Sequence, residues 1–448
     1  MIEIQQLNQY LNNFRRLFSR FLKSGVGIQT ISKSSNKYKY FSFIIFKEYI
    51  CSKTFLNVLT FVKLMNKMIF LLFGMILLFI SCSDGCQKPN YSLIEIDLNS
   101  SPSMKRIKLQ DIATIEYITV ASDSNFIPST KQLGVSRDMN YMIAGGEGYE
   151  VLLLNRQGTP ISKINKEGQG PNEYLYASYY TIHDKKVFIY DGWNGKMHVY
   201  DFAGTPLYSF ERQDVGDIFI YNDSTFICHN FARNKIKQDY MPYYTIISNR
   251  TGEILERIDL PYWGNTPISI GFKERDSAGE EFVISTKHLS LIKGLDGNFI
   301  FNELSTDTVY QYSTDGSLKP IIVRKPSVKE NNHLFLEFCA DTKRYIFFHR
   351  TIVDRKNPEN LFSSEQWAYD RTEMKIYQAE IIDENFPSRN LNFTPEFMDS
   401  PNGYTTLRYR SYHLCEAYKE GKLRGKLEYI ASTLNEEDND VYVLIKFK

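Results

Sequence analysis

The sequence lacks the usual signatures of catalysis and of metal binding. It contains no C-x-x-C pair, no G-x-S-x-G, no H-E-x-x-H and no P-loop pattern, and its seven histidines show no metal-ligand spacing. These absences argue against zinc and redox sites and against the common hydrolase and nucleotide-binding motifs. The sequence therefore predicts no metal, no cofactor and no assigned catalytic residue.

Cysteine is also scarce, with six residues in 448. One lies among the first 64 residues, and Cys82 and Cys86 follow an apolar run, so only Cys228, Cys339 and Cys415 belong to the later chain. These three are far apart in sequence and form no regular framework of spacings. We expect buried free thiols rather than disulfides.

Acidic residues are almost missing from the first 64 positions, which hold ten Lys or Arg but only Glu3 and Glu48. The segment L-N-N-F-R-R-L-F-S-R-F-L-K can form a basic amphipathic helix at a membrane surface. A signal sequence follows, however, and such sequences begin with a short charged stretch. We favour residues 1–64 as a non-native or disordered extension outside the mature protein, with the membrane-surface helix as the alternative.

Residues 65–81 contain the longest strongly apolar run, which is uncharged from Met68 to Ile80 and ends at Ser81-Cys82. Thirteen residues in a helix extend only about 20 Å, too short to cross a bilayer comfortably. A signal peptide is the preferred interpretation, and a transmembrane helix is the alternative. Cleavage before Cys82 leaves 42 Lys or Arg against 50 Asp or Glu. An acidic chain of this kind does not favour a nucleic-acid partner.

The remaining chain repeats one pattern of short apolar runs and polar turns. The segment from Lys186 to Glu211 shows it most clearly, with predicted strands Val187–Tyr190, Met197–Tyr200 and Pro206–Phe210 separated by D-G-W-N-G and D-F-A-G turns. The predicted strands of the other copies lie at Leu133–Val135, Tyr141–Ala144, Val151–Leu154 and Pro160–Ile164, and within 218–258, 298–323 and 345–377.

One turn position recurs at Gly158, Gly204, Gly252 and Gly316, and Glu373 takes its place in the fifth copy. The intervals are 46, 48, 64 and 57 residues. Periods near this size, each with four short strands, indicate a β-propeller. Runs such as V-L-L-L do not alternate with polar residues, as expected for strands covered on both faces by neighbouring blades.

The end of the chain departs from the repeat. Ser411–Gly421 and Lys426–Asn435 are predicted helices, and Val441–Phe447 is a predicted strand. We interpret the helices as an insertion in the last blade. That blade lacks one strand, which the early segment Ile115–Val120 can supply, because strands from both ends then close the ring and remove its edges.

Two motifs carry a family resemblance: F-I-S-C (Phe79 to Cys82) resembles a bacterial lipobox, and K-E-G-Q-G-P-N-E-Y spans Lys166 to Tyr174. Together with the turns, they resemble the six-bladed β-propeller lipoproteins of anaerobic Gram-negative bacteria, related to NHL- and TolB-like propellers. The resemblance implies an all-β, six-bladed propeller at 91–448 with four-stranded antiparallel blades. It also implies lipidation at Cys82, a tether at 82–90 and an anchor in the outer membrane, with the side of the membrane left open.

Strand order predicts a shared face for candidate ligand-binding residues. With strands A to D in each blade, the B–C and D–A loops leave from the same end. These loops contain Tyr149, Glu173, Tyr174, Trp193, Arg233, Tyr262 and Trp263. Aromatic and charged side chains at a channel mouth suit a sugar or peptide. Alternatively, G-Q-G-P-N-E-Y is a turn that fastens one blade to the next, and the tryptophans only pack their loops against the domain.

Three functions stay open at this point. The leading hypothesis is a lipid-anchored, extracytoplasmic propeller that binds or scaffolds a glycan, a peptide or an envelope protein. The runner-up is a lyase or hydrolase acting on saccharides or peptides, since propellers can carry active sites at the channel mouth. A purely structural module of an envelope complex is the third. Clustered carboxylates and histidine at the mouth favour the enzyme, and an aromatic rim without them favours binding.

Overall fold

A computed structural model describes residues 93–121, 126–129, 133–146, 149–213, 215–233, 240–260, 270–275, 281–286, 290–304, 306–331, 333–354, 362–394 and 403–448. It begins with three strands that do not pair with one another. They are β1 (Ile94–Asp97), β2 (Met104–Lys108) and β3 (Ala113–Thr119), and the one-turn helix α1 (Leu109–Ile112) precedes β3. Each of these strands joins a different sheet formed by the later chain.

Blades 1 to 3 are each built from one continuous segment with antiparallel neighbours. Blade 1 contains β4 (Gly134–Val135), β5 (Tyr141–Gly145), β6 (Val151–Asn155) and β7 (Pro160–Ile164). Blade 2 contains β8 (Ala177–His183), β9 (Lys186–Asp191), β10 (Lys196–Tyr200) and β11 (Pro206–Glu211). Blade 3 contains β12 (Val215–Ile220), β13 (Thr225–Arg233), β14 (Tyr240–Ser248) and β15 (Ile254–Asp259).

A separate hairpin, β16 (Ile270–Arg275) and β17 (Glu281–Thr286), lies in the chain between blades 3 and 4. Blade 4 contains β18 (Leu291–Lys293), a 3₁₀ turn at Leu295–Gly297, β19 (Phe299–Phe301), β20 (Thr308–Tyr312) and β21 (Leu318–Lys325). Blade 5 contains β22 (Leu334–Asp341), β23 (Tyr345–Val353), β24 (Phe362–Asp370) and β25 (Lys375–Asp383). β26 (Phe386–Leu391) also pairs with β25.

Blade 6 is assembled from both ends of the chain. It contains β27 (Tyr404–Tyr409), helices α2 (Ser411–Lys419) and α3 (Gly425–Ser432), and β28 (Val441–Phe447). β3 pairs with β28 in antiparallel register, with Thr119 opposite Val441 and Ala113 opposite Phe447. Three strands of this sheet lie in the described part of the chain, in the order β27-β28-β3. The predicted six-bladed propeller, the closing strand and the helical insertion are confirmed.

β1 and β2 add outer strands to two further blades. β1 runs parallel to β21 in blade 4, and β2 runs parallel to β25 in blade 5. The N-terminal segment therefore follows the outside of blades 4, 5 and 6 in order before the chain enters blade 1. Parallel pairing is possible because the partners are far apart in sequence, whereas neighbouring hairpin strands pair antiparallel.

The core consists of the facing surfaces of neighbouring blades. All four side chains of Val151–Leu154 are fully buried. They divide between two clusters: Leu152 and Leu154 pack with Tyr442 and Leu444 of blade 6, and Val151 and Leu153 pack with blade 2. An uninterrupted apolar strand is therefore needed, because each of its faces is covered by a different blade. Cys228, Cys339 and Cys415 are buried free thiols, as predicted.

The C–D turns confirm the glycine pattern, with one correction. Gly158, Gly204, Gly252 and Gly316 all have φ between 72° and 84°, a region that only glycine enters without a steric penalty. In blade 5 the prediction placed Glu373 at this position, but the left-handed residue is Met374, with φ 51°. Asp370 Oδ1 accepts the backbone N–H groups of Thr372 and Glu373, so the side chain organises a turn whose left-handed residue comes one position later.

Candidate functional site

The B–C loops and the blade-to-blade D–A loops leave from one face of the propeller, here called the D–A face, because successive strands in each blade are antiparallel. Tyr149, Glu173, Tyr174 and Trp193 lie in such loops. β13 ends at Arg233, whose side chain lies outside the described residues. Tyr262, Trp263 and the predicted lipidation site Cys82 also lie outside the described residues.

Three exposed aromatic side chains follow one another on the D–A face over blades 1 and 2. Tyr149 is 42% exposed, Tyr176 39% and Trp193 76%. The rings of Tyr149 and Tyr176 meet edge to face, with centroids 5.1 Å apart. Gly192 N–H donates to the Tyr176 carbonyl at 3.2 Å, which places Tyr176 beside the residue preceding Trp193. We call Tyr149, Tyr176 and Trp193 the aromatic strip.

The loop that carries Trp193 is fixed by a buried carboxylate. Asp191 Oδ1 accepts the N–H groups of Trp193 (3.0 Å) and Asn194 (3.3 Å), and Oδ2 accepts Leu175 N–H (2.9 Å) and Asn194 Nδ2 (2.8 Å). Burial alone would raise the pKa of Asp191, but these hydrogen bonds outweigh burial and lower the pKa below its ordinary value. The Trp193 ring is thus held out into solvent by an ordered loop, as the binding interpretation requires, and does not pack the loop down.

Tyr149 has a left-handed backbone, with φ 68°. A non-glycine residue in this conformation costs about 1–3 kcal/mol and persists only where its surroundings hold it. Here the Tyr149 carbonyl lies 3.1 Å from the Tyr174 hydroxyl, and its ring contacts Tyr176. The strain is therefore offset by contacts that keep Tyr149 in the aromatic strip.

The turn Lys166–Tyr174 fastens blade 1 to blade 2, which confirms the structural interpretation of G-Q-G-P-N-E-Y. Tyr174 is fully buried, and its hydroxyl lies 3.2 Å from Ile164 O of blade 1. From blade 2, Tyr200 donates to Asn172 O (2.8 Å) and Lys196 to Pro171 O (3.2 Å). Tyr174 therefore offers no surface to a ligand.

Glu173 is folded back into the same turn. Its Oε2 accepts Gly170 N–H at 2.8 Å. A Cβ atom on Gly168 would lie 2.0 Å from this oxygen, and one on Gly170 2.9 Å from it. The two glycines are thus needed to admit the carboxylate, which closes the turn; a phosphate-binding role for this loop is not required to explain them.

A buried polar cluster joins blade 3 to blade 4 at the D–A ends of their strands. We call it the polar cluster; its members are Asp217, His229, Tyr244, Ser290 and Glu303. His229 Nε2 lies 3.0 Å from Glu303 Oε1, and His229 Nδ1 lies 3.8 Å from Asp217 Oδ2. Tyr244 donates to Glu303 Oε1 at 2.7 Å, and Ser290 Oγ lies 3.3 Å from Glu303 Oε2. Asp217 Oδ2 accepts Ser290 N–H at 3.0 Å.

Burial and the two carboxylates set the proton affinities in the polar cluster. Burial by itself disfavours the protonated imidazole of His229, but the charge of Glu303, its hydrogen bond and the charge of Asp217 raise the pKa of His229 above its ordinary value. Burial, followed by the charge of Glu303, raises the pKa of Tyr244 well above its ordinary value. The cluster therefore favours a protonated histidine between two carboxylates.

The sequence analysis missed the polar cluster and Tyr176. Tyr176 follows the recognised turn motif by two residues. His229, by contrast, interrupts the apolar strand F-I-C-H-N-F, and Glu303 follows F-I-F-N. Polar residues inside otherwise apolar strands are the signal that could have identified the cluster, since buried polar groups need partners. Their partners are up to 86 residues apart in the chain, a relation that spacing does not reveal.

Within the described ranges, no group of three His, Cys, Asp or Glu residues is arranged to hold a metal ion. Over the same residues, none of the helices combines the length and the apolar composition needed to cross a membrane.

A family model described as "Domain of unknown function (DUF4934)" matches residues 93–446. The chain belongs to this family. The match spans all six blades of the propeller, from β1 to β28. No functionally curated protein matches the DUF4934 chain.

Solved structures resemble the DUF4934 propeller in fold. A presumed exported protein from Bacteroides fragilis matches with a TM-score of 0.54 and 13% identity, over 80% of this chain and 100% of that chain. A member of the DUF4221 family from Bacteroides vulgatus gives a TM-score of 0.40 and 8% identity, over 76% of this chain and 99% of that chain. At such low identity, the first likeness shows the fold alone.

Proposed function

We propose that this DUF4934 protein is a lipid-anchored, extracytoplasmic binding module whose aromatic strip contacts a saccharide or peptide. The observation that carries the proposal is the exposure of three neighbouring aromatic rings on ordered loops. Rigid aromatic side chains provide a large contact area and lose little conformational freedom when they bind. A ring as exposed as Trp193 contributes little to the core, so its burial against a ligand is the simplest use for it.

The extracytoplasmic location is supported by two independent features. The sequence at 65–82 has the features of a lipoprotein signal, and the Bacteroides fragilis protein of the same fold is described as exported. Lipidation at Cys82 would anchor the domain through the tether at 82–90. More than one acyl chain is needed for stable anchoring, and mass spectrometry of the native protein tests this directly. An N-terminus at Met1, or an unmodified Cys82, would contradict the proposal.

Catalysis is the second candidate function, and the polar cluster is the observation that favours it. A histidine with a raised pKa beside two carboxylates is a combination used for general acid–base chemistry. The side chains of Asp217 and His229 are 11% and 10% exposed. Binding remains the preferred function because the same groups bridge two blades: Asp217 accepts Ser290 N–H, and Glu303 accepts the Tyr244 hydroxyl.

The binding proposal is tested with the full-length protein on saccharide and peptide arrays, followed by calorimetry on the compounds that bind. Trp193→Ala and Tyr176→Ala should each weaken binding by about tenfold or more, as expected for central aromatic contacts. Tyr429→Ala is the matched control, because Tyr429 is 73% exposed but lies on α3 of blade 6. Equal affinities for all three variants would remove the aromatic strip as the binding surface.

The same compounds separate binding from catalysis. Each compound that binds is incubated with the protein and with His229→Gln, and the products are followed by mass spectrometry. An unchanged compound supports a binding module. Conversion that His229→Gln abolishes, while affinity is retained, would instead establish the polar cluster as an active site.

A further inference from the structure

A cleft of about 540 Å³ separates β26 from β27. In chain order and direction, β26 has the place of the innermost strand of blade 6, since it follows the outer strand of blade 5 and precedes β27. It pairs with β25 of blade 5 instead, with Leu391 opposite Ile381. Gln366 of β24 also holds it there, donating to Leu391 O and accepting Phe393 N–H. The position between blade 6 and its expected inner strand is therefore a cleft.

The cleft lies against strand edges rather than strand faces. It is lined by the consecutive residues 389–392 of β26 and its continuation, and by 406–410 of β27 and its continuation. Alternate side chains of a strand point to opposite faces, so a cavity lined by consecutive residues of both strands runs along their edges. A strand edge presents backbone N–H and C=O groups, and such edges are templates for pairing with a further strand.

The ladder between β27 and β28 identifies which backbone groups face the cleft. Phe447 N–H donates to Gly403 O, and Thr405 lies opposite Ile445 in the same register. In an antiparallel ladder, residues alternate between those bonded to the partner strand and those directed away from it. The backbone groups of Tyr404, Thr406 and Arg408 are therefore directed to the other edge of β27, toward the cleft.

The charges along the cleft are positive. Arg389, Arg408, Arg410 and His413 line it. Arg408 is paired with Asp440 at 3.4 Å, whereas over the described residues neither Arg389 nor Arg410 has a carboxylate partner. The Arg389 guanidinium lies 4.7 Å from the centre of the Tyr409 ring, and Arg410 donates weakly to the Tyr412 hydroxyl at 3.4 Å. Both arginines keep donors available for a bound carboxylate.

We propose that this cleft binds an extended acidic peptide segment of a partner protein, which adds as a strand to the edge of β27. The strand edge supplies backbone hydrogen bonds, and Arg389 and Arg410 select acidic side chains, the two components of recognition by strand addition. β27 has six residues, so a segment of about six to eight residues fits its length. The proposal does not depend on the aromatic strip or on its ligand.

The test uses the full-length protein and three synthetic seven-residue peptides, measured by fluorescence anisotropy. In the first peptide Glu alternates with Val or Thr; in the second Gln replaces Glu; in the third, the acidic peptide carries N-methyl groups on alternate backbone nitrogens. We expect saturable binding of the acidic peptide below ~1 mM, the range of a weak specific contact. We expect at least tenfold weaker binding of the other two.

Variants connect the binding to the cleft. Arg389→Gln combined with Arg410→Gln should weaken binding of the acidic peptide at least tenfold. Arg250→Gln, an exposed site in the C–D turn of blade 3, is the matched control for loss of positive charge and should leave it unchanged. Thermal unfolding of each variant verifies that the fold is intact, and Arg389→Lys with Arg410→Lys, which keeps the charge, serves if the glutamine variant unfolds and should still reduce affinity through loss of the planar donors.

Several results would overturn the proposal. Equal binding of the N-methylated peptide would show that the cleft recognises charge without strand pairing. Equal binding of the Gln peptide would remove the role of the arginines. Tighter binding of a soluble polyuronate than of the acidic peptide, lost in the double arginine variant, would assign the cleft to an anionic polysaccharide. Absence of binding of the acidic peptide up to ~1 mM would exclude strand addition of this kind.

Discussion

Blades 1 to 3 and blades 4 to 6 reach the same sheet architecture by different routes. Each of the first three blades is a continuous segment whose four strands are linked by local turns. Each of the last three receives a strand from residues 94–119: β1 for blade 4, β2 for blade 5 and β3 for blade 6. The first half of the ring is thus specified locally, and the second half depends on contacts more than 200 residues apart.

The seam between blade 6 and blade 1 shows what this dependence provides. In blade 2, the turn glycine Gly204 packs against Ile164 at the end of the outer strand of blade 1, and Gly252 packs likewise against Phe210. Gly158 of blade 1 packs against Thr119, the last residue of β3. β3 therefore occupies the outer-strand position of blade 6 and reproduces, at the seam, the contact that other neighbouring blades make.

Removing the N-terminal strands should have the largest effect. We expect a chain starting at residue 121 to be unfolded, because blades 4, 5 and 6 lose outer strands and the ring gains open edges. A chain starting at residue 82 is the control and should fold like the full-length protein. Circular dichroism and thermal unfolding compare the two, and equal stability would show that the ring closes without β1 to β3.

Gly158→Ala should be the next most damaging change, and Gly316→Ala is its matched control. Both glycines have positive φ, so alanine at either costs about 1 kcal/mol in backbone conformation. At Gly158 the added Cβ would lie 2.2 Å from Thr119 O, whereas at Gly316 the nearest atom is the Tyr312 hydroxyl at 3.9 Å. We expect Gly158→Ala to lower the free energy of unfolding by about 1–3 kcal/mol more than Gly316→Ala.

Urea denaturation measures both free energies. Equal losses would mean that the turn of blade 1 shifts away from Thr119 without cost, and the seam would then be more adaptable than the other blade contacts.

The polar cluster should make the contact of blades 3 and 4 sensitive to pH. Because the folded-state pKa of His229 is raised, its contribution to stability is fully present below the unfolded pKa of about 6.5 and is lost as pH rises through the folded value. His229→Gln should remove this component. The slope of the difference between the two proteins cannot exceed about 1.4 kcal/mol per pH unit for one proton.

Urea denaturation between pH 5.5 and about 8.5 gives the difference directly, and comparison with the wild type cancels the contributions of other histidines. Burial lowers the pKa values of His198 and His349, so these residues favour stability at higher pH. A difference that is independent of pH would show that His229 does not exchange a proton between the folded and unfolded states in this range.

The smallest effect is expected at Trp193. Trp193→Ala should change the free energy of unfolding by no more than about 0.5 kcal/mol, since the ring is exposed and its loop is held by Asp191. A buried tryptophan would instead cost about 3 kcal/mol or more. A large loss of stability, measured by chemical denaturation, would return Trp193 to a packing role and weaken the binding proposal.

The predicted features that the structure confirms are those that local sequence encodes. Hairpin turns with Gly158 and Gly204, uninterrupted apolar strands such as Val151–Leu154, and helices α2 and α3 each depend on neighbouring residues. The shift from Glu373 to Met374 marks the limit of that reasoning, because Asp370 changes the turn through its side chain. Of the binding residues, Trp193 was identified by its loop, but Tyr174 was placed in the same group although it is buried.

The sequence by itself determined the repeat, the turn positions, the number of blades and the need for a closing strand, because each follows from short-range patterns of apolar and turn-forming residues. The tertiary structure alone decided three other features: the parallel addition of β1 and β2, the pairing of β26 with blade 5, and the meeting of His229 with Glu303. These are choices among partners that lie far apart in the chain. They depend on the space and hydrogen-bonding groups that the assembled ring leaves available, which no local pattern records.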